Sequence, residues 1–187
     1  MKRLILASNS PRRREILTEA GFDIEIIPST FEENISGKTP DQTVKDFAHS
    51  KAKEVFDRLG DKDAVVLGAD TVVSLEGVIL GKPKNEQDAV NMLTSLSGKA
   101  HQVWTGYCIY SSQKVIVEAV KTDVIFNDLS TSKIEQYVAT GKPLDKAGAY
   151  GIQDGFDLVK GYNGSYFNVV GLPLEEIQDK LKQLLIK

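Results

Sequence analysis

The chain has 187 residues, 41% apolar and 26% charged, with a net charge of −3, enough for one sizeable core but short for two comfortable domains. The acidic balance, with a pI near 5.5, argues against binding a nucleic-acid backbone, which needs a basic excess. Cys108 is the only cysteine, which excludes an intramolecular disulfide, and His49 and His101 lack the spacing of a zinc site.

The apolar run at residues 4–7 is too short for a signal peptide and no stretch approaches membrane-spanning length, so a cytoplasmic protein without a membrane partner is expected. Neither internal repeats nor a linker divide it, and residues 1–187 read as a single domain. The first pattern is Leu4-Ile5-Leu6-Ala7-Ser8-Asn9-Ser10-Pro11-Arg12-Arg13-Arg14, an apolar strand, a tight loop and a helix start. Pro11 suits the first helical position, where its missing N–H costs nothing. The free N–H groups of that turn, Ser8, Ser10 and the arginines would make a place for an anion. An ordinary capped β–α connection with solvated arginines accounts for the same residues equally well, and Arg14 keeps that assignment.

Gly21 ends this helix, and residues 22–26 alternate like a half-buried strand. A polar segment with Glu32 and Glu33 follows. Thr39-Pro40 then opens a second helix with a stripe of Val44, Phe47, Ala48, Val55 and Leu59, stopped at Gly60. Lys51 falls on or beside that stripe, either snorkelling past the core edge or projecting into a site. Residues 64–67 read as a central strand buried on both faces, continuing into Gly68-Ala69-Asp70-Thr71-Val72-Val73. A carboxylate within an apolar strand is expensive unless it is paired or bound to a metal, so Asp70 demands an explanation.

Glu76-Gly77 is a hairpin turn, and Gly81-Lys82-Pro83 delivers a lysine at the end of the returning strand. Asn85 caps a third helix that stops at Gly98. Ser97-Gly98-Lys99 lacks the rest of a phosphate-binding loop and is rejected as one. Residues 100–126 form two long antiparallel strands, in which Cys108 reads as a small core residue. Ser132 and Glu135 make a capping box for a short helix. Asn163-Gly164 is a hairpin signal between residues 156–160 and 165–170. The last helix carries Leu174, Ile177, Leu181 and Leu184 on one face.

Taken together, basic groups stand at loop and helix starts (Arg12, Arg13, Lys82, with Lys51 a further candidate), and acidic groups occupy oxygen-ligand positions (Glu33 and Asp70, with Asp145 a third candidate). Cations mixed with carboxylates suit a polyphosphate carried with Mg²⁺. A carboxylate would orient or deprotonate the attacking water.

The ordered set Ser8-Asn9-Ser10-Pro11-Arg12-Arg13, Gly68-Ala69-Asp70-Thr71, Gly81-Lys82-Pro83, Asp145-Lys146-Ala147-Gly148-Ala149-Tyr150-Gly151-Ile152-Gln153 and Asn163-Gly164-Ser165-Tyr166 closely resembles the Maf family of nucleoside triphosphate pyrophosphatases, the septum formation proteins, over essentially the whole chain. The resemblance implies an α/β fold like that of inosine triphosphatase: a long mixed twisted sheet flanked by helices, in two lobes with a central cleft. It implies Mg²⁺- or Mn²⁺-dependent cleavage between the α- and β-phosphates, and a homodimer. By motif, Ser8, Ser10, Arg12, Arg13, Lys51 and Lys82 would serve the triphosphate, and Glu33 and Asp70 the metal, with Asp70 the proton acceptor. The Ala-Gly-Ala-Tyr-Gly-Ile-Gln run looks like the dTTP/UTP branch, in which Arg12, Thr71 and Gln153 are tied to specificity. A methylated purine triphosphate (7-methyl-GTP) is the alternative substrate, and a non-catalytic nucleotide- or DNA-binding regulator of septum formation the alternative class. The chain departs from the family's usual Gln-Gly in having Gln153-Asp154-Gly155.

Overall fold

The computed structural model describes residues 1–35 and 37–186. The opening run forms β1 (Arg3–Leu6), whose residues alternate between two cores: Leu4 and Leu6 pack to one side, Ile5 and the following Ala7 to the other. Helix α1 (Pro11–Glu19) starts where Ser10 Oγ accepts the Arg13 N–H at 3.3 Å, and Pro11 occupies the first helical position. Strand β2 (Ile24–Ile26) then lies parallel to β1. Helix α2 (Pro40–Leu59) is capped by Thr39 and ended by Gly60 at φ 64°, and its buried stripe includes Thr43 and Ala52 besides Val44, Phe47, Ala48 and Val55. Leu59 is only partly buried.

Strand β3 (Ala64–Leu75) runs parallel to β1, and the returning β4 (Val78–Leu80) pairs with its far end across Glu76 and Gly77, both at positive φ. Helix α3 (Glu86–Leu96) follows the Asn85 cap. Strands β5 (Ala100–Tyr110) and β6 (Val115–Phe126) form the long hairpin, with β5 antiparallel to β3. After α4 (Thr131–Ala139) and three 3₁₀ turns, β7 (Val159–Asn163) closes the far edge of a seven-stranded sheet, ordered β2-β1-β3-β5-β6-β7 with β4 beside β3. Helices α5 (Tyr166–Val170) and α6 (Leu174–Leu185) complete the chain, with Ile177, Leu181 and Leu185 buried and Leu174 and Leu184 packed at the edge.

Two local expectations are corrected. Helix α4 is capped by Ser130, whose Oγ accepts the Lys133 N–H at 3.1 Å, while Ser132 lies inside the helix within reach of Gln136. The earlier start brings Ile134, Tyr137 and Val138 onto the buried face. Residues 165–170 form a helix instead of the second strand of a hairpin. Ser165 Oγ accepts the Asn168 N–H at 3.0 Å, and the turn of helix buries Asn168, whose Nδ2 donates to Val103 O and to Thr122 Oγ1. On the other side of Gly164, β7 begins only at Val159, because Phe156 and Asp157 sit at φ 56° and 50°.

The long strands β3, β5 and β6 cross from one lobe to the other. One lobe packs β1, α1, α2 and α6 about the sheet. The other packs Val73 and Leu75 with Leu93, Leu96, Phe126, Ile134 and Tyr137. Glycine permits the close seating of α2 on the sheet: a Cβ on Gly68 would stand 2.4 Å from Ala48 O, and one on Gly106 2.2 Å from Val44 O. Asp70 and Thr71 lie midway along β3, between the two lobes.

Candidate active site

The cleft between the lobes has a volume of about 630 Å³, within the range of small-molecule sites. Ser8, Ser10, Arg12, Arg13, Glu33, Lys51, Asp70, Thr71, Lys82 and Gln153 all line it. The structure thus brings together every site residue expected from the sequence.

The loop between β1 and α1 supplies the first wall. Ser8 Oγ accepts from the Ser10 N–H at 3.1 Å and from Arg13 Nη1 at 3.2 Å, and Ser10 Oγ caps α1. Ser8 Oγ, with both lone pairs engaged, has its proton left to donate, and Ser10 Oγ, which accepts once, has its proton and one lone pair left. Arg13 also donates from Nε to Gly171 O (2.8 Å) and from Nη2 to Thr71 Oγ1 (3.1 Å). Burial pushes its pKa down, opposed by the charge of Asp70. Behind it, Thr71 Oγ1 lies 2.8 Å from Thr105 Oγ1, which donates to Asn168 O at 2.9 Å. Thr105 has one proton and spends it on Asn168, so the Thr71 proton must go to Thr105. The bonds run in one direction, from Arg13 through Thr71 and Thr105 to Asn168, and Thr71 offers the cleft only a lone pair. Arg12, less buried, reaches across the cleft to Asp145 at 3.3 Å. Lys82 stands exposed on the rim, with no ion-pair partner among the described residues.

Asp70 is 6% exposed. Its Oδ1 is 3.4 Å from Lys51 Nζ, and its Oδ2 is buried with no hydrogen-bond partner among the described residues. Burial pushes the Asp70 carboxyl up to about 6, with Lys51 and Arg13 acting against the shift and Glu33 adding to it. Lys51 comes from the face of α2 above β3 and does not snorkel to solvent. Its ammonium donates to Ala69 O at 3.3 Å and forms an ion pair with Glu33, bridging the two carboxylates. Among the described residues no group of three or more His, Cys, Asp or Glu side chains could hold a metal, so Glu33 and Asp70 stand as a pair. Cys108 and His101 take no part: burial pushes the thiol up to about 12 and the imidazole down to about 4, and His101 Nε2 bonds Tyr150 Oη at 2.6 Å.

The glycine-rich segment makes the opposite wall. Gly148 N donates to Gly81 O at 3.0 Å, beside Lys82, and a Cβ on Gly148 would be 2.7 Å from Val73 Cγ2. Gln153 presents an exposed side chain to the cleft. The sequence reading gave no role to Thr105 and Asn168, which stand behind Thr71, nor to Tyr137 and Lys146, which bond Gly151 N and Asp145 Oδ1 behind the glycine-rich wall. Lys146 alone carried a signal, as a charged residue within a run of small ones.

The sequence profile of the family described as Maf-like protein matches residues 3–184. A dTTP/UTP pyrophosphatase of Thermococcus kodakarensis is 51% identical over 182 residues, covering 97% of this chain and 96% of that one. Another from Photorhabdus laumondii is 50% identical, covering 96% and 92%. Among solved structures, a nucleoside-triphosphatase (dITP/XTP pyrophosphatase) from Mycobacterium abscessus superposes with a TM-score of 0.50 at 14% identity, covering 98% of each chain, a likeness of fold.

Proposed function

Because the chain belongs to the Maf-like protein family, we propose that it hydrolyses dTTP and UTP at the α–β phosphate bond, releasing the monophosphate and pyrophosphate. One observation carries the reading: cations and a carboxylate pair face each other across one cleft in a chain about half identical to dTTP/UTP pyrophosphatases over nearly its full length.

The Ser8 and Ser10 hydroxyls and the Arg12 N–H of the first turn of α1 donate to the triphosphate oxygens, and Arg12, Arg13, Lys51 and Lys82 neutralise them. Arg13 suits this work because three neutral acceptors fix its plane and, among the described residues, no carboxylate neutralises it by direct contact. Arg12 must exchange Asp145 for phosphate. The residues fit a divalent cation: Asp70 Oδ2 is orphaned and buried, Glu33 is near it through Lys51, and the Lys51 ammonium already bridges both carboxylates. Glu33 and Asp70 would hold Mg²⁺ or Mn²⁺, which suits a site with few protein ligands and would neutralise charge on the triphosphate. Asp70 takes a proton from water as the water oxygen joins the α-phosphorus and pyrophosphate departs.

Gln153 reads the base, offering a donor and an acceptor to the uracil or thymine edge. Arg12 and Thr71 contribute to specificity, Thr71 as an acceptor and as the residue that aims Arg13. The buried free thiol of Cys108 accords with a cytoplasmic protein. A homodimer belongs to the same proposal and is checked by sedimentation equilibrium.

The test is a panel of canonical and modified nucleoside triphosphates with Mg²⁺, using wild type and Asp70→Asn. The highest kcat/KM is expected for dTTP and UTP, with turnover lost in the variant. A preference for 7-methyl-GTP would overturn the pyrimidine assignment, and absence of turnover on every nucleotide would favour a binding regulator.

A further inference from the structure

We propose that Asp154, held by Tyr137 and Lys146, is a specificity-positioning residue that fixes the backbone carrying Gln153. The inference rests on the proposed pyrimidine nucleotide reading and adds Asp154 and Tyr137, which lie behind the cleft wall. A glutamine amide cannot by itself distinguish uracil from cytosine, because turning the amide over exchanges its donor and acceptor and matches either edge. Preference for uracil and thymine therefore needs the ring seated against a group of fixed direction as well, such as the Thr71 Oγ1 lone pair, and the loop around Gln153 must be held still for that one seating.

The structure contains such a hold. Asp154 Oδ2 accepts the Tyr137 hydroxyl at 2.7 Å, and Tyr137 Oη in turn accepts the Gly151 N–H at 2.9 Å. Asp154 N donates to Gly151 O at 3.0 Å, closing the turn from inside. Lys146 Nζ lies 3.4 Å from the same Asp154 oxygen and spends its other protons on Lys142 O and Asp145 Oδ1. The side chains of Lys146 and Asp154 are each only 10% exposed, so the pair is buried and has no loose water-filled alternative. A Cβ on Gly151 would fall 2.8 Å from Lys146 Cε and 2.9 Å from Asp154 Oδ2, because the pair occupies the space a side chain would need.

Gln153 sits between the two anchored positions. Its own amide makes no hydrogen bond among the described residues and faces the cleft. The backbone also calls for restraint: Gly148, Ala149, Gly155, Phe156 and Asp157 all have positive φ, three of them non-glycine. Such conformations persist where surrounding contacts over-determine them, and they gather at ligand clamps. Asp154 is thus an anchor of the loop.

The variants are Asp154→Ala, Asp154→Asn and Tyr137→Phe. The readouts are kcat and KM for UTP, dTTP, CTP and dCTP, and inhibition by inorganic pyrophosphate, which probes the phosphate end alone. Asp154→Ala leaves Asp145 paired with both Lys146 and Arg12, so pyrophosphate inhibition should stay within about twofold of wild type. Losing the equivalent of one well-placed hydrogen bond should lower kcat/KM for UTP and dTTP by about tenfold, mainly through KM, and shrink the UTP-to-CTP ratio by a similar factor. Asp154→Asn, still able to accept from Tyr137, should fall between wild type and Asp154→Ala. Should Asp154→Ala not fold, Asp154→Asn and Tyr137→Phe carry the same comparison. An unchanged UTP-to-CTP ratio in folded variants overturns the inference, as does pyrophosphate inhibition weakened in step with KM. A wild type without preference for UTP and dTTP would instead overturn the pyrimidine reading.

Discussion

Lys51 Nζ stands 3.4 Å from Asp70 Oδ1 and leaves Asp70 Oδ2 buried and without a partner among the described residues. The carboxylate is therefore half satisfied, and its pKa lies near 6, above the value of 3.8 for the free side chain. The charged form is the one disfavoured by folding. Stability from this group is present below the unfolded pKa and is lost as pH rises through about 6. Asp70→Asn should abolish turnover, by about 10² to 10⁴ in kcat, while leaving the thermal midpoint of the metal-free protein at pH 7.5 equal to or above that of wild type. A marked fall in that midpoint would show Asp70 to be a structural ion-pair partner.

The same carboxylate must be unprotonated to take a cation. Mn²⁺ affinity of the nucleotide-free protein should be steady above pH 7 and fall by about tenfold per unit below about 6, because one proton competes for the site. Electron paramagnetic resonance titration of free Mn²⁺ reads this directly. Affinity independent of pH between 5 and 7.5 would place the metal elsewhere.

His101 makes a prediction far from the chemistry. It is fully buried, and its pKa is pushed down to about 4 from 6.5 by desolvation. The unfolded chain takes up a proton below 6.5 that the native state refuses until about 4. The contribution to stability is thus complete above 6.5 and is lost as pH falls through that window, by roughly 3 kcal/mol in all. Urea midpoints measured from pH 7 to pH 4 should fall more steeply in wild type than in His101→Phe. Parallel curves would contradict the assignment.

Gly106 sits opposite Asp70 in the β3–β5 register, and its missing Cβ makes room for Val44 O. Gly106→Ala must lift α2, which carries Lys51, from the sheet. A loss of about 3 kcal/mol in stability, together with a rise in KM for nucleotide, is expected from denaturation and steady-state kinetics. A variant as stable and active as wild type would mean that α2 is seated more loosely.

Local chemistry made much of this fold legible. Ser10-Pro11, Thr39-Pro40 and Asn85 mark three helix starts within a residue, since a cap needs only its own turn. Asp70 declared itself as a carboxylate in an apolar strand. Where several hydroxyls competed for one cap, at Ser130 and Ser132, the choice depended on which start buried Ile134 and Tyr137. The helix at residues 166–170 was hidden behind a hairpin signal because Asn168 satisfies partners on β5 and β6, more than forty residues away. Thr105 likewise reads as an ordinary strand residue until the pairing with β3 sets it against Thr71. The residues that line the cleft announced themselves by type, and those that pack behind them, Lys146 excepted, emerged only from register and packing.

The most direct measurement of the central claim follows dTTP hydrolysis by ³¹P nuclear magnetic resonance with Mg²⁺ present. Pyrophosphate appearing in step with dTMP, and neither with Asp70→Asn, is the expected result. Orthophosphate appearing with dTDP, or no change in the dTTP signals, would contradict it.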